Sequence, residues 1–574
     1  MKSIVCGIDL GTTNSVIAFL HDGVPEAIPV EEGSAILPSV VSFDPTDVGR
    51  QWVGRQAKNR RAAFPKDTIA SVKRMMGKDA AIRAGAGSYS PEEISARILR
   101  CLADRASERL GKQVEKVVVT VPAYFDDAQR RATIRAGELA GLEVVRIVNE
   151  PTAAALVYDH VRDNGGAQSP YVLVYDLGGG TFDVSVLEIK GEIKEVLASS
   201  GDTALGGDDF DNRLKDYLLD QLREQAGGKE IREDIGLQVR LLDIAERAKI
   251  ALSDRPFVRI REVAVCMVDG QPLSLDLDLS RELFESLTVD LIDKTVDKVA
   301  ETLKEASIEP AEIGKLILVG GATRMPAVHH ALSEMFDQTV AHSVDPDLCV
   351  ALGAAIQGGL ITGDSVGQIL LDVTAHSLGL KTIDSVDPET GDADYFSTII
   401  RRNTRIPVSR AEVYRTLMDD QEGVQIEVFQ GESPSCLENS LIGSFYFGLK
   451  PAPAHSQVVV EFAYDREGIV RVCVDQKGLE NRKEVTLDIR RLRVEGPEAA
   501  RGMPETPVNY ISEKARRLAA IPDLPPSLSE QILDFVTDYE AAIRAGEDDD
   551  VVDTVESRLL ELLEQAEEEV DSSE

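Results

Sequence analysis

The chain has 574 residues, of which 43% are hydrophobic and 28% charged, and its formal net charge is −37. This length exceeds what one hydrophobic core supports, so several domains are expected, and the composition is typical of a folded protein. The strong negative charge repels phosphate backbones and anionic lipids, which argues against a nucleic-acid partner and against a membrane partner.

Sequence signals for export, membrane insertion and zinc binding are all missing. Asp9 interrupts the apolar N-terminal stretch, so we expect no secretory signal, and no apolar run approaches the ~20 residues that span a bilayer. The six cysteines never form a CxxC pair and the seven histidines show no zinc-ligand spacing. We therefore expect free thiols in a reducing compartment and a cytoplasmic protein.

The first part of the chain alternates strand-like and helix-like patterns. Residues 116–125 read as a buried strand, and the helix that follows stops at Gly141. Residues 143–158 read as strand, turn and helix, with Pro151 opening the helix, and residues 314–336 repeat this order. This alternation predicts an α/β domain over residues 1–366 with strands buried on both faces.

The later part of the chain shows a different pattern of apolar and polar residues. Short alternating strands at 424–432, 456–476 and 483–494 predict an antiparallel β-sandwich over 373–504, after a linker at 367–372. Residues 505–574 predict a short helical segment, here called the lid segment, with an acidic tail. Its first long helix should begin with a capping box at Ser527 and Glu530 and bury an apolar face, formed by Leu528, Ile532, Phe535, Val536 and Tyr539.

Two glycine turns carry the clearest chemical signal. "GIDLGTTNS" starts at Gly7 and "VYDLGGGTFDVS" at Val174, and their aspartates lie 167 residues apart (176 minus 9). Each turn follows a buried strand, and glycines let successive backbone N–H groups close on an anion. Asp9 and Asp176, at the strand ends, can hold a hydrated Mg²⁺. The pair predicts a duplicated half-domain that grips a polyphosphate from both sides.

A third turn, Gly320–Arg324, suits the nucleoside end because it also follows a buried strand and opens a helix. Taken singly, each glycine cluster could be only a tight hairpin. The chain lacks a GxxxxGK[ST] loop, and no GxGxxG joins a strand to a helix, so ordinary P-loop and dinucleotide folds are excluded.

The sequence resembles the 70-kilodalton heat-shock chaperone family, whose ATPase domain shares the actin and sugar-kinase fold. Besides the two glycine turns, the resemblance rests on "VPAYFDDAQRRAT", "VNEPTAAAL", "LGGDDFD", "AERAKIALS", "LVGGATRMP" and "LLDVTAHSLGL". It implies an ATP-dependent chaperone, with ATP/ADP and Mg²⁺ as cofactors and K⁺ as a candidate accompanying ion. It also implies unfolded client peptides, a J-domain co-chaperone and a nucleotide-exchange factor as partners, and a role in the stress response.

The resemblance assigns nucleotide-site roles residue by residue. It implies that the catalytic residues are Lys73, Glu150, Thr181 and Asp183. It implies that the nucleotide is bound by Gly11, Thr12, Thr13, Asn14, Gly178, Gly179, Gly180, Thr181, Gly207, Glu246, Lys249, Ser253, Gly320, Gly321, Arg324 and Asp347. Without the resemblance, Lys73 would read as a surface charge, Glu150 as a helix N-terminal acid, and Glu246 with Lys249 as a surface pair.

Further residues are implied for coupling and for peptide binding. In the family the apolar linker docks as a strand on the ATPase domain, which assigns coupling roles to Pro122, Arg130, Leu370, Leu371 and Asp372. From the residues alone, Ile369–Asp372 could equally be the first strand of the sandwich. The peptide groove is implied around Val424, with Ile383, Phe396 and Leu417 as neighbours.

Some features depart from the family pattern. The lid segment is short, "EEVD" at 568–571 is followed by three further residues, and Ala375 and His376 stand where Pro-Leu is usual. These departures indicate a divergent, bacterial-type member. Two other functions on the same fold are a small-molecule kinase and a filament-forming ATPase, but neither explains a β-sandwich behind an apolar linker.

Overall fold

A computed structural model describes most of the chain: residues 4–31, 33–47, 49–160, 169–191, 193–229, 231, 234–336, 345–363, 369–382, 395–464, 470–486, 515–516, 519, 525–545, 558–559 and 562. The chain divides into two compact units. Unit 1 comprises 1–375, 402–406 and 466–468, and unit 2 comprises 376–401, 407–465 and 469–574.

Most elements are short strands and medium-length helices. The strands are β1 (Val5–Leu10), β2 (Asn14–His21), β3 (Val24–Ala27), β4 (Ile36–Pro38), β5 (Val41–Phe43), β6 (Gln51–Val53), β7 (Thr68–Ile69), β8 (Ile82–Ala84), β9 (Gly87–Tyr89), β10 (Lys116–Val121), β11 (Glu143–Asn149), β12 (Tyr171–Leu177), β13 (Phe182–Lys190), β14 (Ile193–Asp202), β15 (Phe257–Val268), β16 (Gln271–Ser280), β17 (Ile313–Val319), β18 (Ile369–Val373), β19 (Leu378–Thr382), β20 (Tyr395–Ile400), β21 (Arg405–Ile406), β22 (Val408–Arg415), β23 (Gly423–Gln430), β24 (Ser440–Gly448), β25 (Gln457–Tyr464), β26 (Val470–Gln476) and β27 (Asn481–Thr486). The α-helices are α1 (Arg55–Arg60), α2 (Pro91–Leu110), α3 (Asp127–Leu139), α4 (Glu150–His160), α5 (Gly207–Gln225), α6 (Ile235–Asp254), α7 (Arg281–Ala306), α8 (Pro326–Phe336), α9 (Cys349–Thr362) and α10 (Pro526–Ala545).

Unit 1 contains two large mixed sheets that repeat one topology. The first has the order β11-β10-β1-β2-β3, with β4 on β2, and the second has the order β17-β12-β13-β14-β18-β21. In both, a central strand (β1 or β12) pairs antiparallel with the next strand in the chain and parallel with a later one (β10 or β17). The repeated arrangement agrees with the half-domain duplication expected from the two glycine turns.

Helices α4 and α9 pack closely between these sheets. Gly353 of α9 faces Ala153 of α4 so closely that a Cβ atom on Gly353 would lie 1.8 Å from the Ala153 carbonyl oxygen. Val118, Val174 and Val319, from strands of both sheets, share one buried cluster with these helices. Strand β10 is buried along most of its length, as its continuous apolar sequence predicts.

The helix signals in unit 1 behave as the sequence predicts. Helix α3 starts after a capping box at Asp126 and Gln129 and ends at Leu139, two residues before Gly141, whose φ of 71° is left-handed. Helix α4 begins at Glu150 with Pro151 in its first turn. Helix α8 follows β17 and a 3-10 turn at Gly321–Arg324.

Unit 2 is an antiparallel β-sandwich, as predicted. One sheet has the order β20-β19-β23-β24 and the other β22-β25-β26-β27, and every neighbouring pair is antiparallel. The linker strand β18 does not belong to it. It lies in unit 1, parallel to β14 and antiparallel to β21, so the interpretation of 369–372 as the first sandwich strand is wrong.

Helix α10 buries the apolar face expected for the lid segment. Leu528, Ile532, Val536 and Tyr539 are buried, and Phe535 is half-buried. The helix begins at Pro526, which places Ser527 inside its first turn, so the predicted capping box at Ser527 and Glu530 is not its start. The acidic tail from 546 lies largely outside the described residues. Within the described part of the chain, no helix is both long and apolar enough to cross a membrane.

Candidate functional site

The two glycine turns of unit 1 face each other across a cleft. One turn connects β1 to β2 and the other connects β12 to β13. A Cβ atom on Gly179 would lie 1.8 Å from the Thr13 hydroxyl, and one on Gly180 would lie 2.5 Å from Thr12. Glycine is therefore required here because the two turns approach to contact distance. Their meeting creates a lining rich in backbone N–H groups and hydroxyls.

Most of the residues assigned from the sequence line this one cleft. Its walls combine both glycine turns, the strand-end acids and the third turn. The lining comprises Asp9, Gly11, Thr12, Thr13, Asn14, Lys73, Glu150, Asp176, Gly178, Gly179, Thr181, Val319, Gly320, Gly321, Pro346, Asp347 and Val350. Gly180 lies in the second turn against Thr12, and Gly207 opens α5 and donates its N–H to the Gly178 carbonyl at 2.9 Å.

A buried charge cluster forms the floor of the cleft. The Lys73 ammonium lies 2.5 Å from the Glu150 carboxylate, and the exposed fractions of the two residues are 4% and 6%. Burial, reinforced by the negative charge of Glu150, raises the pKa of both the Asp9 and the Asp183 carboxyls to about 7. Burial and Glu150 also raise the pKa of Asp176 well above its usual range.

This cluster carries more negative than positive charge. Burial alone would lower the pKa of Lys73, but the charges of Glu150 and Asp9 outweigh that effect and raise it. Four carboxyl groups thus share one ammonium group in a site shielded from water. Carboxylates held this way attract a further cation. Among the described residues no group of three acidic, His or Cys side chains is arranged to chelate a metal directly.

The residues expected at the nucleoside end lie on α6 and in the third glycine turn. Gly320 has a φ of 80°, and a Cβ atom there would lie 2.4 Å from the Leu177 carbonyl oxygen, so only glycine fits. Arg324 forms ion pairs with Asp345 at 2.7 Å and Asp347 at 2.8 Å. These contacts fix the third turn beside the second glycine turn.

The α6 residues do not pair as a surface i, i+3 pair. Lys249 donates to Asp211 at 2.9 Å and to the Gly207 carbonyl at 3.0 Å, and the Glu246 carboxylate binds Lys58 at 2.7 Å. The Ser253 hydroxyl donates to the Lys249 carbonyl at 3.3 Å, within the helix. Lys249 is therefore tied to the start of α5, and Glu246 to α1.

Sequence reasoning missed several polar residues around the two turns. Arg74 donates to the Gly180 carbonyl at 3.0 Å and pairs with Asp209, while Ser71 donates to Asp208 at 2.6 Å. Arg74 is the neighbour of Lys73, and Asp208 and Asp209 lie in the motif "LGGDDFD". The sequence thus shows Asp208 and Asp209 in a quoted motif and Arg74 beside an assigned residue. Only the fold shows that Arg74 meets Asp209 and that Ser71 meets Asp208.

A hydrogen-bonded turn connects the cleft to Arg130. The Asp183 carboxylate accepts the backbone N–H of Tyr124 at 3.0 Å, in the turn that begins at Pro122. Arg130 donates to two carbonyls of the same turn, those of Ala123 and Phe125, each at 3.1 Å. Arg130 and Asp183 therefore bind the same turn.

Arg130 in turn connects to the linker strand. Its guanidinium donates to the Asn149 side-chain oxygen at 2.7 Å, and the Asn149 amide donates to Asp372 at 2.9 Å. Thr152 donates to the same Asp372 oxygen at 3.3 Å. Burial raises the pKa of the Asp372 carboxyl, although these donors and Arg130 oppose the rise. Backbone pairing places Leu370 opposite Lys194 and Leu371 opposite Glu195.

The residues assigned to peptide binding are only partly brought together. Val424 lies half-buried on β23, and Leu417 is 38% exposed beyond the end of β22. The register places Ser397, beside Phe396, opposite Leu380, and Leu380 opposite Val428 on the strand of Val424. Phe396 is buried on the other face, over Gly379, so it does not share the face of Val424. Ile383 lies outside the described residues.

Comparisons with known proteins show which chains this one is similar to. The family model described as "Hsp70 protein" matches residues 5–85 and 79–570. A protein of Thermotoga petrophila named "Chaperone protein DnaK" is 45% identical over 491 residues, covering 83% of this chain and 79% of the relative. A protein of the same name from Halobacterium salinarum is 44% identical over 489 residues, covering 84% of this chain and 75% of the relative.

Proposed function

The chain belongs to the Hsp70 protein family, and from this premise we propose how its residues perform ATP-driven chaperone work. It is an ATP-dependent molecular chaperone and an ATPase, and the kinase and filament alternatives are not favoured. ATP binding and hydrolysis in unit 1 control binding and release of extended apolar segments of unfolded proteins by unit 2. The roles of single residues, given below, are supported by the contacts in the cleft.

The glycine turns bind the polyphosphate. The backbone N–H groups of Gly11–Asn14 and Gly178–Thr181 surround it, and the Thr12, Thr13 and Thr181 hydroxyls add donors. Gly320, Gly321 and Asp347, which line the cleft, form the nucleoside end together with Gly207, Lys249 and Arg324. Glu246 and Ser253 remain expected members of it.

The acidic floor would hold Mg²⁺ through water. Asp9 and Asp176 are hard oxygen donors whose pKa values are raised by burial and then by neighbouring carboxylates, and a bound divalent cation would offset the cost of ionising them. When bound, Mg²⁺ neutralises phosphate charge. K⁺ is a candidate accompanying ion for the same excess of carboxylates.

Hydrolysis then depends on the buried charged groups. Lys73 places an ammonium where charge grows on the phosphate in the transition state, and Glu150 holds that ammonium in place. Asp183, whose pKa is near neutral, accepts a proton from the attacking water, and Thr181 orients it. Separate groups thus supply the charge stabilisation and the base.

The observation that carries the proposed coupling is the continuous set of contacts from Asp183 to Asp372. It passes through the turn at Pro122, then Arg130 and Asn149. Asn149 is followed directly by Glu150. The end of β11 therefore carries the residue that contacts the linker, and the next residue is the one that binds Lys73. A nucleotide that shifts Asp183 or Glu150 would therefore shift the linker contacts, including those of Leu370 and Leu371.

Unit 2 binds the client. An extended peptide would be held by main-chain hydrogen bonds and by an apolar pocket at Val424, bordered by Leu417. Ile383 remains an expected neighbour, whereas the packing of Phe396 over Gly379 argues against a direct contact. The lid segment, with helix α10, would act on this groove.

Family membership also supports partners and location. A J-domain co-chaperone would stimulate hydrolysis, a nucleotide-exchange factor would release ADP, and the protein would work in the cytoplasm during the stress response. Addition of purified J-domain and exchange factor to single-turnover and ADP-release assays tests the two partners directly.

The decisive experiment measures coupling in the full chain. We expect an unfolded peptide to stimulate ATP hydrolysis, and ATP to accelerate the release of a labelled peptide. If peptide does not stimulate hydrolysis and ATP does not accelerate peptide release, the proposal is wrong. Phosphorylation of a sugar would instead support a kinase, and ATP-dependent sedimentation would support a filament.

A further inference from the structure

A short segment outside the linker completes the sheet in which the linker lies. Residues 402–406 stand between β20 and β22 in the chain, yet they belong to unit 1. They contribute β21, which pairs with β18 at only two positions, Asp372 with Ile406 and Val373 with Arg405. Two ladder positions are too few to hold a strand, because each ordered residue loses about 1–2 kcal/mol of conformational entropy. Other contacts must hold β21 in place.

Backbone hydrogen bonds of Thr374 with Asn403 (2.8 Å) and Thr404 (2.9 Å) supply some of those contacts, and polar and charged side chains supply the rest. Arg402 forms ion pairs with Glu301 and Glu305 of α7, the first at 2.9 Å. The Asn403 side-chain amide donates to Glu305 at 2.8 Å, and the Asn403 side-chain oxygen accepts the backbone N–H of Ser199 at 3.1 Å. These contacts anchor the start of the segment to α7 and β14.

A second arginine reaches across the linker. Arg405 of β21 forms an ion pair with Glu195 of β14. Glu195 pairs through its backbone with Leu371, and Arg405 pairs with Val373, so β18 lies between the two partners in the sheet. The Glu195 side chain is 13% exposed, whereas that of Arg405 is 69% exposed. The carboxylate is thus largely buried, and the largely exposed arginine side chain reaches it from the strand on the other side of the linker.

We propose that Glu195 and Arg405 form an ionic fastener that holds the linker strand in the sheet of unit 1 and sets the strength of nucleotide-to-peptide coupling. The inference rests on the proposed coupling role of residues 369–372. Because Arg405 is largely exposed, salt screens the pair, and its contribution is modest. Coupling should accordingly weaken as ionic strength rises.

Three variants of the full chain test the fastener in the presence of ATP. Glu195→Gln and Arg405→Gln each remove one charge, and Arg405→Lys keeps it. Arg410→Gln, at an exposed position of β22, is the matched control. Amide hydrogen exchange over residues 369–373 reports linker docking, and stopped-flow release of a labelled peptide reports coupling.

We expect Glu195→Gln and Arg405→Gln to speed linker exchange about threefold and to reduce the ATP acceleration of peptide release by a similar factor. Their effects should not add in the double variant, because both remove the same pair. Between about 0.05 and 0.5 M salt, wild-type exchange should rise towards that of the variants, whose own exchange should change little. Arg405→Lys should stay closer to wild type.

If the linker of Arg405→Gln and Glu195→Gln exchanges at the wild-type rate, as we expect for Arg410→Gln, the fastener proposal is wrong. Additive effects in the double variant would do the same. The coupling proposal fails separately: if ATP does not accelerate peptide release in the wild type, that proposal is wrong, while linker exchange still decides whether the pair holds the strand.

Discussion

The Asn149 side-chain amide donates to the Asp372 carboxylate, with 2.9 Å between Nδ2 and Oδ2. Asn149 ends strand β11, and the next residue, Glu150, begins α4 and binds Lys73 in the cleft. One peptide bond therefore separates a side chain that contacts the linker from a side chain that contacts Lys73. A displacement of this strand end would move both side chains, and this is the physical basis of the proposed coupling.

Asn149→Ala should uncouple the linker from the cleft. The change removes the donor to Asp372 and the acceptor of Arg130, so Asp372 Oδ2 keeps only the 3.3 Å contact from Thr152. Such a loss weakens linker docking by about tenfold, or ~1.4 kcal/mol. Stopped-flow release of a labelled peptide should then show little acceleration by ATP. Thr152→Val, which removes only the 3.3 Å contact, is the control with a smaller effect. Full ATP acceleration in Asn149→Ala would contradict the relay.

Lys73→Ala should remove most hydrolysis and retain nucleotide binding. The ammonium acts where transition-state charge develops, whereas two backbone turns still surround the phosphates. Single-turnover hydrolysis should fall at least about 100-fold, while calorimetry should show ATP binding. Lys66→Ala, at an exposed position with the same charge change, is the control. Hydrolysis by Lys73→Ala at the wild-type rate would show that the lysine is not catalytic.

Without divalent cations, the free energy of unfolding should fall as pH rises towards neutrality. The folded-state pKa of Asp183 is about 7 against a usual value of 3.8, so the folded state binds the proton more tightly than the unfolded state. Stability is then greatest below the unfolded pKa and declines as pH rises through the folded pKa. Thermal melting in EDTA should show this decline, with a smaller slope for Asp183→Asn. Mg²⁺ with nucleotide should reduce it for the wild type. If the wild-type melting temperature instead rose over this pH range, and Asp183→Asn removed the rise, the upward shift of the Asp183 pKa would be contradicted.

The sequence predicts the cleft better than the linker contacts, for a physical reason. A glycine turn is dictated by a few adjacent residues, so the turns at Gly11 and Gly178 are visible locally. The pairing of Leu371 with Glu195 depends on which sheet edge is free after folding, and no local pattern encodes that. Even the alternative of a sandwich strand fits the same apolar residues.

The same limit applies to Phe396, which the sequence comparison expects beside Val424. The pairing of Lys381 with Phe396 and of Leu380 with Ser397 puts Phe396 on the opposite face of the sheet from Leu380. Leu380 pairs with Val428 on the strand of Val424. Which strands pair, and in which register, is set by tertiary packing, so the sequence alone does not place Phe396.

Gly353→Ala should reduce both stability and hydrolysis, because it would drive α9 away from α4. Its Cβ atom would lie 1.8 Å from the carbonyl oxygen of Ala153 and 2.4 Å from the carbonyl carbon, both of them backbone atoms. Backbone cannot yield as a side chain can, so the helices must separate, at a cost of about 1–3 kcal/mol or more.

The displacement has a functional consequence because each helix carries part of the cleft. Helix α4 begins with Glu150, and the first turn of α9 supplies Val350 to the lining. Single-turnover hydrolysis should therefore fall together with the melting temperature in Gly353→Ala. Gly49→Ala is the matched control: its Cβ would meet only the Asp47 carboxylate at 3.6 Å, so the melting temperature should stay near wild type. A Gly353→Ala protein with wild-type melting and wild-type hydrolysis would show that the two helices are not held at contact distance. A protein that loses stability but keeps its rate would show that helix spacing does not position Glu150.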